Sequence, residues 1–261
     1  MRVNGAELHV EPPAGAGELL VLVHGSWTDH TTWDAVAGPL ARSFRVVRYD
    51  RRGHSRSAYG PGPSPRRRDE DDLEALVEAL GAPAHLVGTS YGASISLSLA
   101  GRRPGLVSSV VAHEPPLLGV APDTAAEAML RGVQDQLAGG DHEAGTRRFF
   151  EAILGPDAWD VLPGALRRTA VGNAQTFIDL REDPAWDALD LAAVARYDGP
   201  LAITYGDASP AWLPRTARAV AATIGRTARV IHGAGHAPHL TTPDALVALV
   251  EEVCAPWAAA A

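Results

Sequence analysis

The segment Gly88-Thr89-Ser90-Tyr91-Gly92 places a glycine two residues to either side of a serine. It stands between an apolar run, Ala84 to Val87, and the small, apolar, helix-like stretch Ala93 to Ala100. A strand entering such a segment and a helix leaving it meet at a sharp turn that lifts the serine hydroxyl clear of the sheet edge. A strained elbow needs backbone angles and close helix–strand packing that side chains obstruct, hence glycine on both sides. The feature points to an architecture of alternating strands and helices with a serine at a strand end. A glycine-rich turn with an incidental serine has the same local sequence, so the rest of the chain decides between them.

The remaining pattern agrees with the first reading. Asn4-Gly5 between short β-like runs is a hairpin signal, so the chain opens with two antiparallel strands. Leu19 to His24 reads as a strand buried on both faces, and Phe44 to Asp50 as the next strand. A loop rich in Gly, Pro and Arg follows, from Arg51 to Pro65. Pro65 opens a helix that runs to Leu80, stopped by Gly81 and Pro83. Its acids Asp69 to Asp72 suit a helix N-terminal half, and Arg66-Arg67-Arg68 reads as a solvated face. Leu106 to Ala112 is a strand. From Leu117 to Tyr197 the pattern is helical throughout, with candidates at 123–138, 141–154, 163–181 and 185–196. The alternation then returns as strand 200–205, helix 211–224, strand 228–232 and helix 243–254. The expected organisation is a core of residues 1–116 and 198–261 with a helical lid, 117–197, inserted between two strands. Such a lid covers the C-terminal strand edge, where open α/β sheets bind ligands. Trp159 and the lid residues Asn173 and Phe177, with Trp27 and Trp212 from the core, are candidates for substrate contact; packing is the competing reading of each.

Composition removes several function classes. The 261 residues carry a formal charge of −8, which argues against nucleic acid as the main partner. Every basic side chain is arginine, as a GC-rich coding bias produces. The single cysteine, Cys254, allows no internal disulfide. No signal-peptide pattern and no membrane-length apolar run is present, so a cytoplasmic location is expected. The ten histidines are scattered, and His236-Ala237-Pro238-His239 lacks the i, i+4 spacing of a zinc pair. No nucleotide fingerprint occurs. We therefore expect no metal and no cofactor, and a small, apolar substrate as the partner. Oligomeric state leaves no trace in the sequence.

A serine hydroxyl needs a general base, an acid that orients the base, and donors for the oxyanion. His236, in the loop Gly233-Ala234-Gly235-His236 after the last strand, is the candidate base, with His239 as a structural or substrate-facing neighbour. The oxyanion donors are the backbone N–H of Tyr91, after the serine, and that of Ser26 in the loop His24-Gly25-Ser26-Trp27, with Trp27 as the alternative.

In this order, a His-Gly loop, Gly-x-Ser-x-Gly and a late Gly-His loop, the chain resembles the α/β-hydrolase superfamily over essentially its whole length. The segment Tyr49-Asp50-Arg51-Arg52-Gly53-His54-Ser55-Arg56-Ser57 also resembles that superfamily's D-x-R-G-x-G-x-S segment, departing from it at Ser55. The resemblance implies an α/β-hydrolase fold: a mostly parallel central sheet flanked by helices, with a helical cap between two strands. It also implies an aspartate in a G-x-x-D stretch after the strand that follows the cap. Here that stretch is Gly206-Asp207-Ala208-Ser209-Pro210, with serine at the matching position and Asp207 two residues early. Some superfamily members carry the acid one strand sooner. Glu114, in His113-Glu114-Pro115-Pro116 at the end of the strand after the elbow helix, is the candidate on that pattern, and Asp207 is the alternative. A serine nucleophile implies a hydrolase of carbonyl compounds, namely carboxylic esters, lactones or thioesters. The alternatives are a non-hydrolytic acyltransferase or biosynthetic enzyme, and a ligand-binding protein, using the same pocket.

Overall fold

The computed structural model describes residues 1–60 and 65–255. The end of the 51–65 loop and the last six residues of the 198–261 core segment lie outside the described residues. The hairpin β1 (Arg2–Val3) and β2 (Ala6–Glu7) turns through Asn4 and Gly5, both at positive φ. Then come β3 (Leu19–Val23), α1 (Asp34–Leu40), β4 (Arg45–Arg48), α2 (Arg66–Leu80), β5 (Ala84–Thr89), α3 (Tyr91–Arg102) and β6 (Val107–His113). Six helices follow without a strand: α4 (Thr124–Ala138), α5 (His142–Leu154), α6 (Ala158–Val161), α7 (Gly164–Gly172), α8 (Ala174–Glu182) and α9 (Leu191–Ala195). The chain ends with β7 (Leu201–Gly206), α10 (Trp212–Thr223), β8 (Arg229–Ile231), α11 (Pro238–Thr241) and α12 (Pro243–Cys254).

Strands β3 to β8 form one parallel sheet in the order β4-β3-β5-β6-β7-β8. Side chains along a strand alternate between its faces, and β3 shows why both faces must be covered. Leu19, Val21 and Val23 pack into one apolar cluster with residues of α2, α3 and α10. Leu20 and Leu22 pack into another, against Val36 and Leu40 of α1 and Leu246 and Val250 of α12. Cys254 closes the second cluster, where burial pushes its thiol up to about 12 and it accepts a 3.1 Å bond from Ser109. No helix among the described residues is long and apolar enough to cross a membrane.

Three local readings change. The single helix expected over 163–181 is two helices broken at Asn173. The helix expected over 185–196 shrinks to Leu191–Ala195, which packs on α3 of the core: a Cβ at Gly101 would stand 2.9 Å from the Val194 nitrogen. The acids of α2 do more than complement a helix end. Asp69 pairs with Arg51 at 3.2 Å, Asp72 takes Arg52 through bonds of 2.8 and 2.6 Å, and Glu70 meets Arg66 and Arg102. Arg66 is thereby drawn in to 12% side-chain exposure, while Arg67 stays in solvent.

Several histidines are buried inside this frame. Burial holds the imidazoles of His24 and His54 well below their ordinary value, that of His113 at about 4 and that of His239 at about 3. The unfolded chain takes up these protons below about pH 6.5 and the folded chain does not. Their contribution to stability is therefore complete above that pH and is lost as pH falls towards the folded values. We predict that the free energy of urea unfolding declines between pH 7 and pH 5, the four histidines outweighing Asp69, whose carboxyl burial raises to about 6 and which works in the opposite sense, and that His239→Gln makes the decline shallower. A pH-independent unfolding free energy in that window would contradict it.

Candidate active site

Ser90 sits at the turn between β5 and α3 with φ 54° and ψ −125°, a region that L residues seldom occupy. Its backbone N–H donates to the His113 carbonyl at 2.8 Å. The flanking glycines are required sterically. A Cβ at Gly88 would stand 2.4 Å from the Gly92 oxygen, and one at Gly92 would stand 2.1 Å from the Val23 oxygen. Such contacts are not available to any side chain, so the elbow exists only with glycine at both places. Gly25, in the loop after β3, is held almost as tightly: its Cβ would lie 3.1 Å from the Ser90 Cβ.

That loop is braced from beneath. His24 accepts the Arg51 N–H on Nε2 at 2.9 Å, and the Arg51 guanidinium reaches the Gly25 carbonyl at 2.9 Å while lying 4.7 Å over the Tyr91 ring. Ser26 lines the cavity next to Ser90. Trp27 follows at φ 72°, its indole buried and stacked on Phe177 with centroids 4.8 Å apart. Tyr91 is the first residue of α3, so its N–H is among the four that an α-helix leaves without an internal partner.

His236 arrives on the loop after β8, and its Nδ1 donates to Glu114 Oε2 at 2.7 Å. A carboxylate only accepts, so the proton of the neutral ring lies on Nδ1 and the lone pair on Nε2. Glu114 is fully buried, at φ 46°, just past β6. Its second oxygen accepts the Gly206 N–H at 2.9 Å. Burial pushes this carboxyl up, but the hydrogen bond and charge of His236, the neighbouring His113 and the Gly206 N–H outweigh it and hold the group below the usual carboxylate range. Asp207 is elsewhere. Its side chain is 45% exposed and accepts from His232 at 3.0 Å and from the Gly233 N–H at 2.7 Å. It fastens the start of the loop that carries His236 and makes no bond to the imidazole. Ser209, where the resemblance implies aspartate, buries a hydroxyl without a partner among the described residues. His239 bonds Thr32 at 2.8 Å and lies against Trp33.

Ser90, Ser26 and His236 line a cavity with two lobes. One is walled by Trp27, Phe150, Leu162, Leu166 and Leu240, the other by Tyr91, Leu130, Phe177, Trp186 and Trp212, with Phe149 and Ile153 at the join. The lobes are small, with room for water-sized groups of about 60 and 30 Å³. At roughly 10–15 Å³ per water, only compact groups enter without movement of the helices above.

The lid residues expected at the cavity divide. Phe177 lines it; Trp159 and Asn173 do not. Trp159 packs its ring on Phe150 and borders an outer groove with Arg167 and Arg168. Asn173 spends its amide on the core: Nδ2 donates to the Trp27 and Thr28 carbonyls at 3.0 and 3.2 Å, and Oδ1 accepts the Ser55 N–H at 2.8 Å. It ties the helical block to the loop beside Ser90. The main wall, α5, was not anticipated, although Phe149, Phe150, Ile153 and Leu154 at helical spacing carried the signal. Removing the clamp in Asn173→Ala is expected to lower the unfolding free energy by roughly 1–3 kcal/mol, the cost of stranding buried partners. Unchanged chemical denaturation would contradict the clamp.

A model of the alpha/beta hydrolase family matches residues 20–249. The chain is similar to YraK, an uncharacterized hydrolase of Bacillus subtilis (strain 168), with 38% identity over 121 residues, 45% of this chain and 44% of that one. It thus spans less than half the length of this curated relative. Its structure is similar to that of an alpha/beta hydrolase from Sphaerobacter thermophilus DSM 20745, with TM-score 0.72 and 25% identity over 96% of this chain and 98% of the other. It is also similar to carboxylesterase CesB (YbfK) from Bacillus subtilis, with TM-score 0.80 over 98% and 90% of the two chains. At 19% identity the last likeness concerns the fold alone.

Proposed function

This chain belongs to the alpha/beta hydrolase family, and from that premise we propose that it is a serine hydrolase of carboxylic esters, lactones or thioesters. The observation that carries the reading is the buried Glu114–His236 hydrogen bond at 2.7 Å beside a cavity lined by both His236 and the elbow Ser90. In the reaction Ser90 Oγ attacks the substrate carbonyl carbon while His236 Nε2 takes its proton. Glu114 stabilises the imidazolium that forms and keeps the ring in the required tautomer. The backbone N–H groups of Ser26 and Tyr91 receive the oxyanion, where fixed dipoles in a dry site are worth several kcal/mol. Collapse of the tetrahedral intermediate expels the leaving group, protonated by His236, and leaves an acyl-enzyme. Water activated by the same imidazole releases the acid.

The two lobes meeting at Ser90 give separate places to acyl and leaving groups, and their size favours compact acyl chains. Their apolar walls offer no fixed charge to a substrate, so recognition rests on shape and burial. The helices α4 to α8 form the roof and are the element that sets selectivity. A cytoplasmic setting, with no cofactor in the chemistry, completes the proposal.

Hydrolysis of short-chain p-nitrophenyl esters provides the test. Ser90→Ala and His236→Ala are each expected to lower kcat/KM by on the order of 10³ or more. Glu114→Gln should cost far more than Asp207→Asn, since only Glu114 reaches the imidazole. An Asp207→Asn loss equal to or above that of Glu114→Gln would overturn the assignment of the acid.

A further inference from the structure

Four titratable side chains from three separate stretches meet where the segment after β2 runs along the outer edge of the sheet. His9 and Glu11 flank Val10, which bridges to Tyr49. His30 opens the turn before α1, and Asp50 lies just past β4. His9 Nε2 and His30 Nε2 stand 2.8 and 3.4 Å from the same oxygen, Glu11 Oε1. His30 Nδ1 is 2.6 Å from Asp50 Oδ1, which also accepts the His30 backbone N–H at 2.9 Å. The ligand atoms of His9, His30 and Asp50 all fall within 4.8 Å of one another.

With both rings neutral, this cluster holds more lone pairs than protons. Asp50 is a buried carboxylate and only accepts, so in the neutral ring His30 carries its proton on Nδ1. Nε2 then presents a lone pair to Glu11 Oε1, another lone-pair atom. His9 Nε2 faces an acceptor in Glu11 Oε1 and a donor in Arg56 Nη1, 3.3 Å away. With Nε2–H donated to Glu11, Arg56 Nη1 pairs with the same oxygen, 3.6 Å away. A second proton on His30 relieves its contact with Glu11; a cation among the three atoms relieves it as well, because all three then donate electron pairs to it once Arg56 has withdrawn.

We propose that His9 Nε2, Glu11 Oε1 and His30 Nε2 bind one divalent first-row transition ion of the Zn²⁺ type, with water completing the shell. Bonds of ~2.0–2.2 Å to a tetrahedral ion place neighbouring ligand atoms ~3.3–3.6 Å apart, so the 3.4 Å His30–Glu11 separation already fits and the 2.8 Å His9–Glu11 contact must open. Asp50 behind His30 is the carboxylate that such a histidine commonly has as its outer partner, and it fixes the ring with Nε2 outward. Glu11 and Asp50 together balance the charge of the ion. Arg56 occupies part of the space now, but its side chain is 65% exposed and can turn to solvent. The open groove over His9 and Arg56 gives entry. The ion would bind the N-terminal segment to the turn whose Thr32 holds His239, a structural role outside the Ser90 cavity. Spacing along the chain hides the site, since its ligands come from separate stretches; the expectation of no metal rested on local motifs.

The test uses the full chain, stripped with chelator and exchanged into metal-free buffer. Calorimetric titration with Zn²⁺ should give one equivalent, with a raised thermal midpoint, and Co²⁺ should show the visible bands of a four-coordinate ion. His9→Gln and Glu11→Gln, both at partly exposed positions, should keep the metal-free thermal midpoint and weaken binding by at least the ~10–100-fold seen when metal-site partners are removed. Absence of stoichiometric binding by the parent would overturn the proposal. So would binding that both variants retain, or that His236→Gln abolishes while they do not, since the ion would then sit at the active site.

Discussion

A buried carboxylate beside a histidine is tolerable only if its charge is met from several directions. Glu114 has no contact with solvent, and a lone ionised carboxyl there would cost several kcal/mol. The His236 ring meets one oxygen and the Gly206 N–H the other. Meeting both fixes the path of three segments: the end of β6, which must turn through positive φ at Glu114; the end of β7, which supplies Gly206; and the loop after β8, which delivers His236. Asp207 serves the same end by fastening Gly233 and His232 at the start of that loop. On the proposed reading, the acid that the resemblance places after β7 is Glu114, one strand nearer the elbow, while Asp207 holds the loop.

The elbow imposes the second constraint. Gly88 and Gly92 let α3 start within van der Waals contact of β3 and β5, and Ser26, Ser90 and Tyr91 line one cavity. Loops this tight need support, and it comes from residues that never see the cavity. Arg51, paired with Asp69, carries the Gly25 carbonyl, while Asn173 carries the Trp27 and Thr28 carbonyls from the lid side. Losing the Arg51 partner of buried Asp69 would cost about 3–5 kcal/mol by the usual penalty for an uncompensated buried charge. Asn173 thus joins the helical block to the loop after β3.

The strands were legible because a parallel sheet buries both faces and leaves continuous apolar runs such as Leu19 to Val23. The ends of α2 were legible from Pro65 and Gly81, where local backbone chemistry dominates. The proximity of Glu114 to His236, and of both Ser90 and His236 to one cavity, was legible because each residue lies at or just past a strand end, where topology brings distant segments together. The lid was less readable. Asn173 breaks a helix to satisfy carbonyls on another segment, a tertiary demand that periodicity cannot register. Trp159 looked like a cavity residue by type alone, whereas its ring packs under α5. The pairing of Asp69 and Asp72 with Arg51 and Arg52 was likewise hidden, since composition within a helix does not reveal its partners on a distant loop.

Intact mass after incubation with a fluorophosphonate reads directly whether Ser90 is an activated nucleophile. One adduct on the parent chain and none on Ser90→Ala is the expected result. A folded parent that remains unlabelled, or a Ser90→Ala chain that is labelled as fully, would contradict it.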